Sequence, residues 1–291
     1  MPELPEVETV VRGLLAAGLL ARRIMHVSVM WPRTLSGITP QAFAIRLKNH
    51  RVEGISRRAK YIVLSLSGGL KLFVHLRMTG NLRFEPAGAP WDKHDRVSVA
   101  LDDGRELRFR DVRKFGRWTV TDNPNSIVGR LGPEPLARTF TPAVLQQCFV
   151  GRAGRLKPAL LDQSLLAGIG NIYADEALFA ARLHPRRCVA SLTPDDIARL
   201  HMAIRTILRR GISAQGTSLG GGTANFYSVA GRRGRNQDGL QVFRRTGEPC
   251  PTCATPITRI LVAQRSTHIC PRCQPEHPGR RAQAARSRNT A

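Results

Sequence analysis

The sequence predicts an α+β multidomain fold: an N-terminal β-sandwich with flanking helices, then a helical region, then a C-terminal hairpin. Three observations indicate this order. Short β-type runs separated by turn signals fill the chain up to residue 121. A Pro- and Gly-rich segment at 129–141 then gives way to helical patterns that begin with Thr-Pro pairs. Near the C-terminus, two Cys-x-x-Cys pairs flank a run of apolar and β-branched residues.

The first region begins with a predicted amphipathic helix over 5–20, since Pro5 suits the first helical position. Apolar residues recur behind it at helical spacing: Val7, Val10, Val11, Leu14 and Leu15. A second short helix is predicted after Thr39, its N-cap. The β-type runs lie at 24–30, 51–56, 61–66, 70–76, 79–84, 96–101, 105–109 and 116–121. This arrangement is typical of a β-sandwich with helical flanks.

The helical region is predicted from two cap-and-proline starts, at Thr141 and at Thr193. The second start is followed by apolar residues at helical spacing. Its helix is predicted to stop at Gly211, after two arginines in the last turn. Residues 211–239 are rich in glycine and predict a loop.

The four C-terminal cysteines have the spacing of a zinc ribbon, two knuckles with sixteen residues between them: Cys250, Cys253, Cys270 and Cys273. Each knuckle presents two thiolates, so four sulfurs can surround one Zn²⁺ as a tetrahedron. A site closed by four sulfurs has no open coordination position, so the predicted zinc is structural. Unrelated core cysteines or a disulfide are the disfavoured alternative.

The charge predicts a polyanionic partner. The chain has 45 Lys+Arg against 21 Asp+Glu and a formal net charge of +24. Only six of the basic residues are lysines, and arginine is a planar bidentate donor suited to phosphate oxygens. Codon bias can explain arginine over lysine, but it does not explain the excess over acids. Nucleic acid is favoured over an acidic membrane surface.

Neither a signal peptide nor a membrane span is predicted. The start, Met-Pro-Glu-Leu-Pro-Glu, lacks a basic region followed by an apolar one, and no apolar run approaches the ~18 residues of a spanning helix. Thiolate ligands and two further cysteines, Cys148 and Cys188, fit a reducing compartment. We expect a soluble, monomeric, cytoplasmic protein.

The chain start carries candidate chemistry. If Met1 is removed, Pro2 becomes a secondary amine with a pKa of ~7.7–8.0, below that of lysine, and the adjacent helix end lowers it further. Such an amine can attack a sugar aldehyde carbon and form an iminium ion, an electron sink for elimination. Glu3 can move protons beside it. From the residues alone, an ordinary capped helix start is an equally good explanation.

The opening, Met-Pro-Glu-Leu-Pro-Glu-Val-Glu-Thr-Val, resembles that of formamidopyrimidine-DNA glycosylases, bacterial enzymes that excise oxidised purines from DNA. Further motifs resemble the family's in the same order, at 57–61, 75–80, 111–116, 131–136 and 168–173, followed by the zinc knuckle. The resemblance covers residues 1–274. It implies a DNA glycosylase that also cleaves abasic sites and whose only cofactor is one structural Zn²⁺.

The resemblance implies four catalytic residues. Pro2 would be the Schiff-base nucleophile and Glu3 the proton donor in base release. Lys60, within Arg-Arg-Ala-Lys-Tyr, would serve β-elimination and contact DNA; the alternative for a lone lysine is a solvated strand edge. Arg265, on the zinc hairpin, would grip phosphate and assist δ-elimination.

The resemblance also implies DNA-binding residues. Met78, Arg113 and Phe115 would form a wedge that fills the gap left by an extruded base, as enzymes acting on a base inside a duplex require. Asn171 follows a Gly-Ile-Gly turn between two apolar helical stretches, where it is expected to cap the second helix and contact phosphate. His94 and Arg152 are further expected contacts.

The expected domain boundaries follow from these assignments. They are a catalytic β-sandwich at 1–130, a linker at 131–142, a helix–two-turn–helix DNA-binding domain with the lesion loop at 143–240, a zinc-finger hairpin at 241–274 and a basic disordered tail at 275–291.

The expected activity is excision of 8-oxoguanine and formamidopyrimidines from double-stranded DNA through a Schiff base on Pro2, then nicking by β,δ-elimination. Two alternatives remain open. An endonuclease VIII-type enzyme for oxidised pyrimidines is disfavoured by Leu4, where that group usually has glycine. The other is a non-catalytic zinc-ribbon DNA-binding protein. The loop at 216–239 departs from the family pattern by extra glycines at 220–222, which leaves lesion preference open.

Overall fold

The computed structural model describes residues 1–220 and 225–276. The chain forms two compact units. The first, here the sandwich unit, comprises Met1–Arg130 and Gly211–Asp238; the second, the zinc unit, comprises Leu131–Arg210 and Gly239–Ala291. The loop segment 211–238 therefore groups with the sandwich, whereas the sequence places it in the helical domain. The other domain limits remain predictions, and the expected tail lies outside the described residues from 277 onward.

Within the described residues, two four-stranded antiparallel sheets make up the sandwich unit, in the orders β1-β6-β7-β5 and β2-β3-β4-β8. The strands are β1 Ile24–Val29, β2 Val52–Arg58, β3 Tyr61–Leu66, β4 Lys71–His75, β5 Gly80–Pro86, β6 Asp95–Leu101, β7 Arg105–Asp111 and β8 Arg117–Thr121. The helices are α1 Leu4–Ala16, α2 Pro40–Leu47 and α3 Asn125–Val128. The predicted strand runs are confirmed, with ends shifted by a few residues at most.

Helix α1 packs its apolar face into the sandwich core through Val7, Val10 and Leu14, all fully buried. The predicted end at residue 20 is wrong. Gly18 adopts a left-handed conformation (φ 74°), and Leu19 N–H donates to the Leu14 carbonyl at 3.1 Å, which closes the helix as a Schellman cap. Leu15, predicted on the apolar face, is 41% exposed.

In the described residues, the zinc unit contains helices α4 Pro142–Phe149, α5 Leu156–Leu161, α6 Asn171–Ala180 and most of α7 Pro194–Ser213. It also contains a hairpin of strands β9 Thr258–Val262 and β10 Arg265–Ile269. The predicted threonine caps are confirmed. Thr141 accepts the Val144 N–H at 3.3 Å, and Thr193 accepts the Asp196 N–H at 3.2 Å. Thr39 does the same for α2 in the sandwich unit, from Ala42 at 3.3 Å.

The predicted stop of α7 at Gly211 is wrong, because the helix continues to Ser213. Gln215 takes the left-handed conformation instead (φ 59°), and Gly216 N–H donates to the Gly211 carbonyl at 2.8 Å. A glycine inside a helix costs only about 1 kcal/mol, so it does not enforce a stop. In the described part of the chain, no helix has both the length and the apolar character to cross a membrane.

Candidate functional site

The chain start is held at the N-terminus of α1. Pro2 and Glu3 are buried. The Glu6 carboxylate accepts the Glu3 N–H at 2.8 Å and the Thr217 N–H at 2.7 Å, so one buried side chain fixes the start of the helix and the loop after α7. Pro2 is therefore fixed beside the positive end of the helix, where a cationic amine is disfavoured.

The amine of the chain lies at a cavity of about 330 Å³ in the sandwich unit, lined by Met1, Arg77, Met78, Phe115 and Arg117. Burial lowers the pKa of the Met1 amine, while Glu3 and Glu6 raise it and Lys60 and Arg113 lower it. The cavity thus brings the chain start to two predicted wedge residues, and charges from three more predicted site residues reach the amine.

Lys60 lies in the two-residue turn between β2 and β3. Its neighbour Ala59 adopts a left-handed conformation (φ 53°). Arg57 ties this hairpin to α1 by donating to Glu8 at 3.2 Å. Lys60 is 5% exposed, so the alternative of a solvated strand-edge lysine is wrong. Its charge lies close enough to the chain-start amine to lower the pKa of that amine.

The predicted wedge residues lie on two loops at one end of the sandwich. The loop at 76–79 leads from β4 to β5, and the loop at 112–116 leads from β7 to β8. Strand β5 pairs with β7 and β4 with β8, so each loop crosses between the sheets beside the other. The pairs Gly80 with Asp111 and His75 with Arg117 fix the register at the base of these loops.

The tips of these loops combine apolar and cationic groups. The Arg113 guanidinium stacks on the Phe115 ring at 4.9 Å from its centroid. Phe115 is 47% exposed and Met78 is half-buried. The Phe115 ring and the Met78 side chain together form an apolar projection, and the Arg113 guanidinium lies on the ring. This is the shape that a wedge between base steps requires.

His75 is the last residue of β4, directly before the loop that carries Met78. The sequence analysis gave it no role beyond its place in a motif. It accepts the Arg77 N–H on Nδ1 at 3.0 Å and meets the Tyr61 ring edge-on at 4.8 Å. Burial, with help from Arg77 and Lys60, lowers the pKa of His75 to about 3. The imidazole is therefore neutral at physiological pH. Its Nδ1 lone pair holds the backbone of Arg77, the residue before Met78, by a hydrogen bond.

The four cysteines meet at one point of the zinc unit. Their Sγ atoms lie within 4.8 Å of one another, with Cys253 3.4 Å from Cys270 and 3.5 Å from Cys273, and Cys250 3.9 Å from Cys273. Tetrahedral zinc with bonds of about 2.3 Å separates its sulfurs by about 3.8 Å. Hydrogen bonding to Thr255 lowers the pKa of the Cys253 thiol to about 6, which favours the thiolate that binds metal. The set fits one Zn²⁺.

Behind the zinc hairpin lies a buried ion pair that the sequence analysis missed. Lys157 Nζ lies 2.6 Å from Asp175, and both side chains are fully buried. Lys157 also donates to Thr267 Oγ1 at 2.8 Å and to the Ser266 carbonyl at 2.9 Å. Asp175 in turn accepts the His268 N–H at 3.0 Å. The pair therefore holds β10 in place through hydrogen bonds to three of its residues, Ser266, Thr267 and His268. The scarcity of lysine is a weak sequence signal for it.

Asn171 does not cap α6, so that expectation is wrong. Gly170 is the N-cap, and Asn171 is the first helical residue. Its amide donates to the Ser266 carbonyl at 3.0 Å, next to the exposed Arg265 on β10. The structure thus places Asn171 against the strand that carries Arg265. Their roles stay predictions.

The two remaining predicted DNA contacts lie at the surface of separate units. His94 is half-buried in the sandwich unit, where its backbone N–H donates to Asp92 at 2.7 Å. Arg152 is exposed in the turn after α4. Both assignments depend on the resemblance alone.

A sandwich with a cationic cavity at its chain start and a four-cysteine hairpin, in a strongly basic chain, is the make-up of a zinc-containing protein that acts on nucleic acid. The chain matches three family models over most of its length: the formamidopyrimidine-DNA glycosylase N-terminal domain at 1–118, the H2TH domain of the same enzyme at 131–221, and the zinc finger found in FPG and IleRS at 247–275.

Known relatives agree with these matches. The formamidopyrimidine-DNA glycosylase of Herpetosiphon aurantiacus is 49% identical over 94% of this chain and all of the relative, and that of Protochlamydia amoebophila is 43% identical over 94% and 99%. Two solved structures are similar. Lactococcus lactis Fpg bound to abasic-site DNA has a TM-score of 0.86 at 35% identity, covering 94% of this chain and 100% of that one. The MutM (Fpg) protein of Thermus thermophilus has a TM-score of 0.85 at 38% identity, covering 95% and 100%.

The chain belongs to the formamidopyrimidine-DNA glycosylase family. It is a DNA-repair enzyme that binds DNA and carries one structural Zn²⁺ on its four cysteines. The predicted family, fold class and cofactor are confirmed. The alternative of a non-catalytic zinc-ribbon protein is wrong.

Proposed function

We propose that the protein excises oxidised purines, namely 8-oxoguanine and formamidopyrimidines, from double-stranded DNA and then cuts the strand at the abasic site, acting as a monomer. One observation carries this proposal: a single cavity of the sandwich unit is lined by Met1 at the chain start and by Met78 and Phe115 of the wedge loops. Similar Lactococcus lactis structures hold abasic-site DNA or Fapy-dG-containing DNA, which supports this substrate class.

The chemistry begins at the chain start. After removal of Met1, the Pro2 nitrogen attacks C1′ of the damaged nucleotide. Glu3 gives a proton to the sugar ring oxygen and the ring opens. The Pro2 nitrogen then loses its N–H proton, and its lone pair expels the base, which leaves with the electrons of the C1′–base bond and takes up a proton. An iminium ion remains between C1′ and Pro2. Burial lowers the pKa of the amine at Met1, and Pro2 is itself buried, so a protonated amine is disfavoured at Pro2 as well.

The iminium ion then drives two eliminations. It draws electrons from the C2′–H bond, so that loss of this proton breaks the bond from C3′ to its phosphate oxygen. Loss of the C4′ proton next releases the phosphate at C5′. Lys60, buried beside the amine, serves the first elimination and contacts the DNA. Arg265, exposed on β10, grips phosphate and assists the second.

Base extrusion precedes this chemistry. Met78 and Phe115 occupy the vacated stack, and Arg113 hydrogen-bonds the orphaned base on the other strand. Asn171 contacts phosphate, and His94 and Arg152 are further DNA contacts. This assignment is supported by the placement of both wedge loops at one end of the sandwich.

A lesion panel with borohydride tests the proposed function. Duplexes with 8-oxoguanine, formamidopyrimidine, thymine glycol or an abasic site are incubated with the enzyme. We expect cleavage of both purine lesions, and covalent trapping on them and on the abasic site. Preference for thymine glycol would instead indicate an endonuclease VIII-type enzyme. Purine excision without trapping or nicking would exclude the iminium route.

A further inference from the structure

Asp111 is a buried carboxylate on which both wedge loops converge. It ends β7 and is 1% exposed. Its Oδ1 accepts the Thr79 hydroxyl at 2.5 Å and the Arg113 N–H at 3.2 Å, and its Oδ2 accepts the Gly116 N–H at 2.7 Å. Thr79 belongs to the loop that carries Met78. The other two donors belong to the loop that carries Phe115. One side chain thus bridges both loops.

The bridge is closed by a direct bond between the loops. The Arg113 N–H also donates to Thr79 Oγ1 at 3.1 Å, so the hydroxyl accepts from one loop while it donates to Asp111. The backbone of Asp111 is itself fixed, since its carbonyl accepts from Arg96 Nε at 2.9 Å and its N–H donates to the His94 carbonyl at 2.9 Å. The network therefore has a rigid anchor in the sheet.

Only an acceptor on both oxygens satisfies this arrangement. A carboxylate accepts at each oxygen, whereas an asparagine amide would turn an NH₂ group toward one of the three donors. At Thr79, valine has the same shape but lacks the hydroxyl, and serine keeps the hydroxyl without the methyl group. These substitutions separate hydrogen bonding from packing.

The two loops also pack on the same side chain at their bases. Gly80 follows the first loop and Gly116 ends the second, and both lie against the Phe109 ring. A Cβ on Gly80 would lie 2.7 Å from Phe109 Cζ, and one on Gly116 would lie closer still. Phe109 is fully buried and meets Trp118 edge-to-face at 5.6 Å. Both loop bases therefore pack on one ring, and the Asp111 network adds hydrogen bonds to Thr79 and Arg113, nearer the tips.

We propose that Asp111, through Thr79, is a positioning residue that couples the two loops, so that Met78, Arg113 and Phe115 enter the duplex as one body. This rests on the proposed function, since it assigns these three residues to the wedge. Without the coupling, the Met78 loop and the Arg113 loop move independently. Base extrusion slows, and the Arg113 guanidinium loses its fixed position against the orphaned base. The chemistry at the chain start is unaffected.

The test uses full-length Thr79→Val, Thr79→Ser and Asp111→Asn proteins, with folding verified by thermal unfolding. Single-turnover rates are measured on 8-oxoguanine opposite cytosine, on 8-oxoguanine opposite adenine, and on a pre-formed abasic site. We expect Thr79→Val to slow lesion excision about tenfold, as the loss of one charge-assisted hydrogen bond implies, and to narrow the difference between the opposite bases. In the same protein, abasic-site nicking should change less than about twofold. Thr79→Ser should restore both the rate of lesion excision and the difference between opposite bases. Asp111→Asn should slow excision and narrow that difference, as Thr79→Val does.

The wild-type arm separates two kinds of failure. A wild-type protein that neither excises the lesion nor nicks the abasic site would overturn the proposed function and, with it, this inference. If the wild type is active, equal proportional losses on lesion and abasic DNA in Thr79→Val would overturn the coupling alone. So would a Thr79→Val protein that behaves like Thr79→Ser. If Asp111→Asn does not fold, the Thr79 pair decides the question by itself.

Discussion

In the sandwich unit the loops at 76–79 and 112–116 leave a core of two packed sheets, whereas in the zinc unit the proposed DNA-binding hairpin consists of β9 and β10 alone. A two-stranded hairpin is at best marginally stable in water. It is therefore held at its base by zinc and from behind by the buried Lys157–Asp175 pair. The sandwich loops need neither metal nor ion pair, because they leave a large core. The Phe109 ring at their bases and the Asp111 carboxylate between them hold them in place. Both devices orient exposed side chains, and the size of the supporting core decides which one is used.

Removal of a zinc ligand should have the largest effect. We expect Cys270→Ser to release the metal and weaken binding to lesion duplex by about 10- to 100-fold, as the loss of charge-assisted phosphate contacts implies. The sandwich unit should stay folded, because the ligands all lie in the zinc unit. Zinc content, binding affinity and circular dichroism measure this. Cys148→Ser, at a half-buried cysteine outside the metal cluster, is the matched control. Unchanged affinity without bound zinc would contradict the role given to the hairpin.

The buried ion pair gives the next effect. Lys157→Met should cost about 3–5 kcal/mol of unfolding free energy, since it leaves the Asp175 carboxylate buried without its cation. Urea unfolding measures the loss, and Lys48→Met at an exposed lysine should be nearly silent. A combined Lys157→Met and Asp175→Asn protein should recover part of the stability. If Lys157→Met unfolds at the wild-type urea concentration, the pair does not support the hairpin.

The wedge prediction separates extrusion from chemistry. Met78→Ala combined with Phe115→Ala should slow excision of a paired lesion by about 10- to 100-fold, because extruding a base costs a few kcal/mol that these side chains offset. Nicking of a pre-formed abasic site should be largely spared. Arg113→Ala should act likewise and relax the preference for the opposite base. Single-turnover rates on both substrates decide this, with Met202→Ala, at a highly exposed methionine, as control. Equal losses on both substrates would mean that these residues only position the backbone.

The last effect is the smallest near neutral pH, because it develops only as the solution is acidified. The folded-state pKa of His75 is lowered from 6.5 to about 3, so its contribution to stability is present above pH 6.5 and is lost as the pH falls toward 3. Over that window this group removes up to about 1.4 kcal/mol of unfolding free energy per pH unit. His75→Gln should therefore show a shallower decline than wild type in urea unfolding between these values, whereas His26→Gln, at an exposed histidine, should not. Parallel declines in wild type and His75→Gln would show that burial of His75 does not link folding to protons.

The same contrast explains how far the sequence could predict the structure. Local signals sufficed for the strands, the threonine caps at Thr39 and Thr141, and the zinc hairpin, because turn residues, caps and knuckle spacing act over a few residues. The end of α7 was missed because Gly211 is tolerated inside a helix, and the next left-handed residue is Gln215, not a glycine.

The supports of the candidate site were not predictable from local patterns. Lys157 and Asp175 meet across 18 residues, and Lys157 reaches Thr267 across 110. Asp111 meets Thr79 across 32. Such pairs follow from strand pairing and packing, not from spacing. A charged residue in an apolar helix, or an aspartate that ends a strand, gives only a weak hint of them.

We propose that the amine of Pro2 does the chemistry while both units position the DNA. Borohydride trapping on abasic-site duplex tests it most directly, with wild type, Pro2→Gly, and a protein that retains Met1 compared after mass spectrometry of each N-terminus. We expect covalent trapping and strand nicking to be strongest in the wild type. Retained Met1 turns the Pro2 nitrogen into an amide, and the glycine variant has a primary amine whose imine must be protonated before it can draw electrons. Undiminished trapping by Pro2→Gly with a verified N-terminus would contradict the account and move the nucleophile elsewhere, with Lys60 the next candidate.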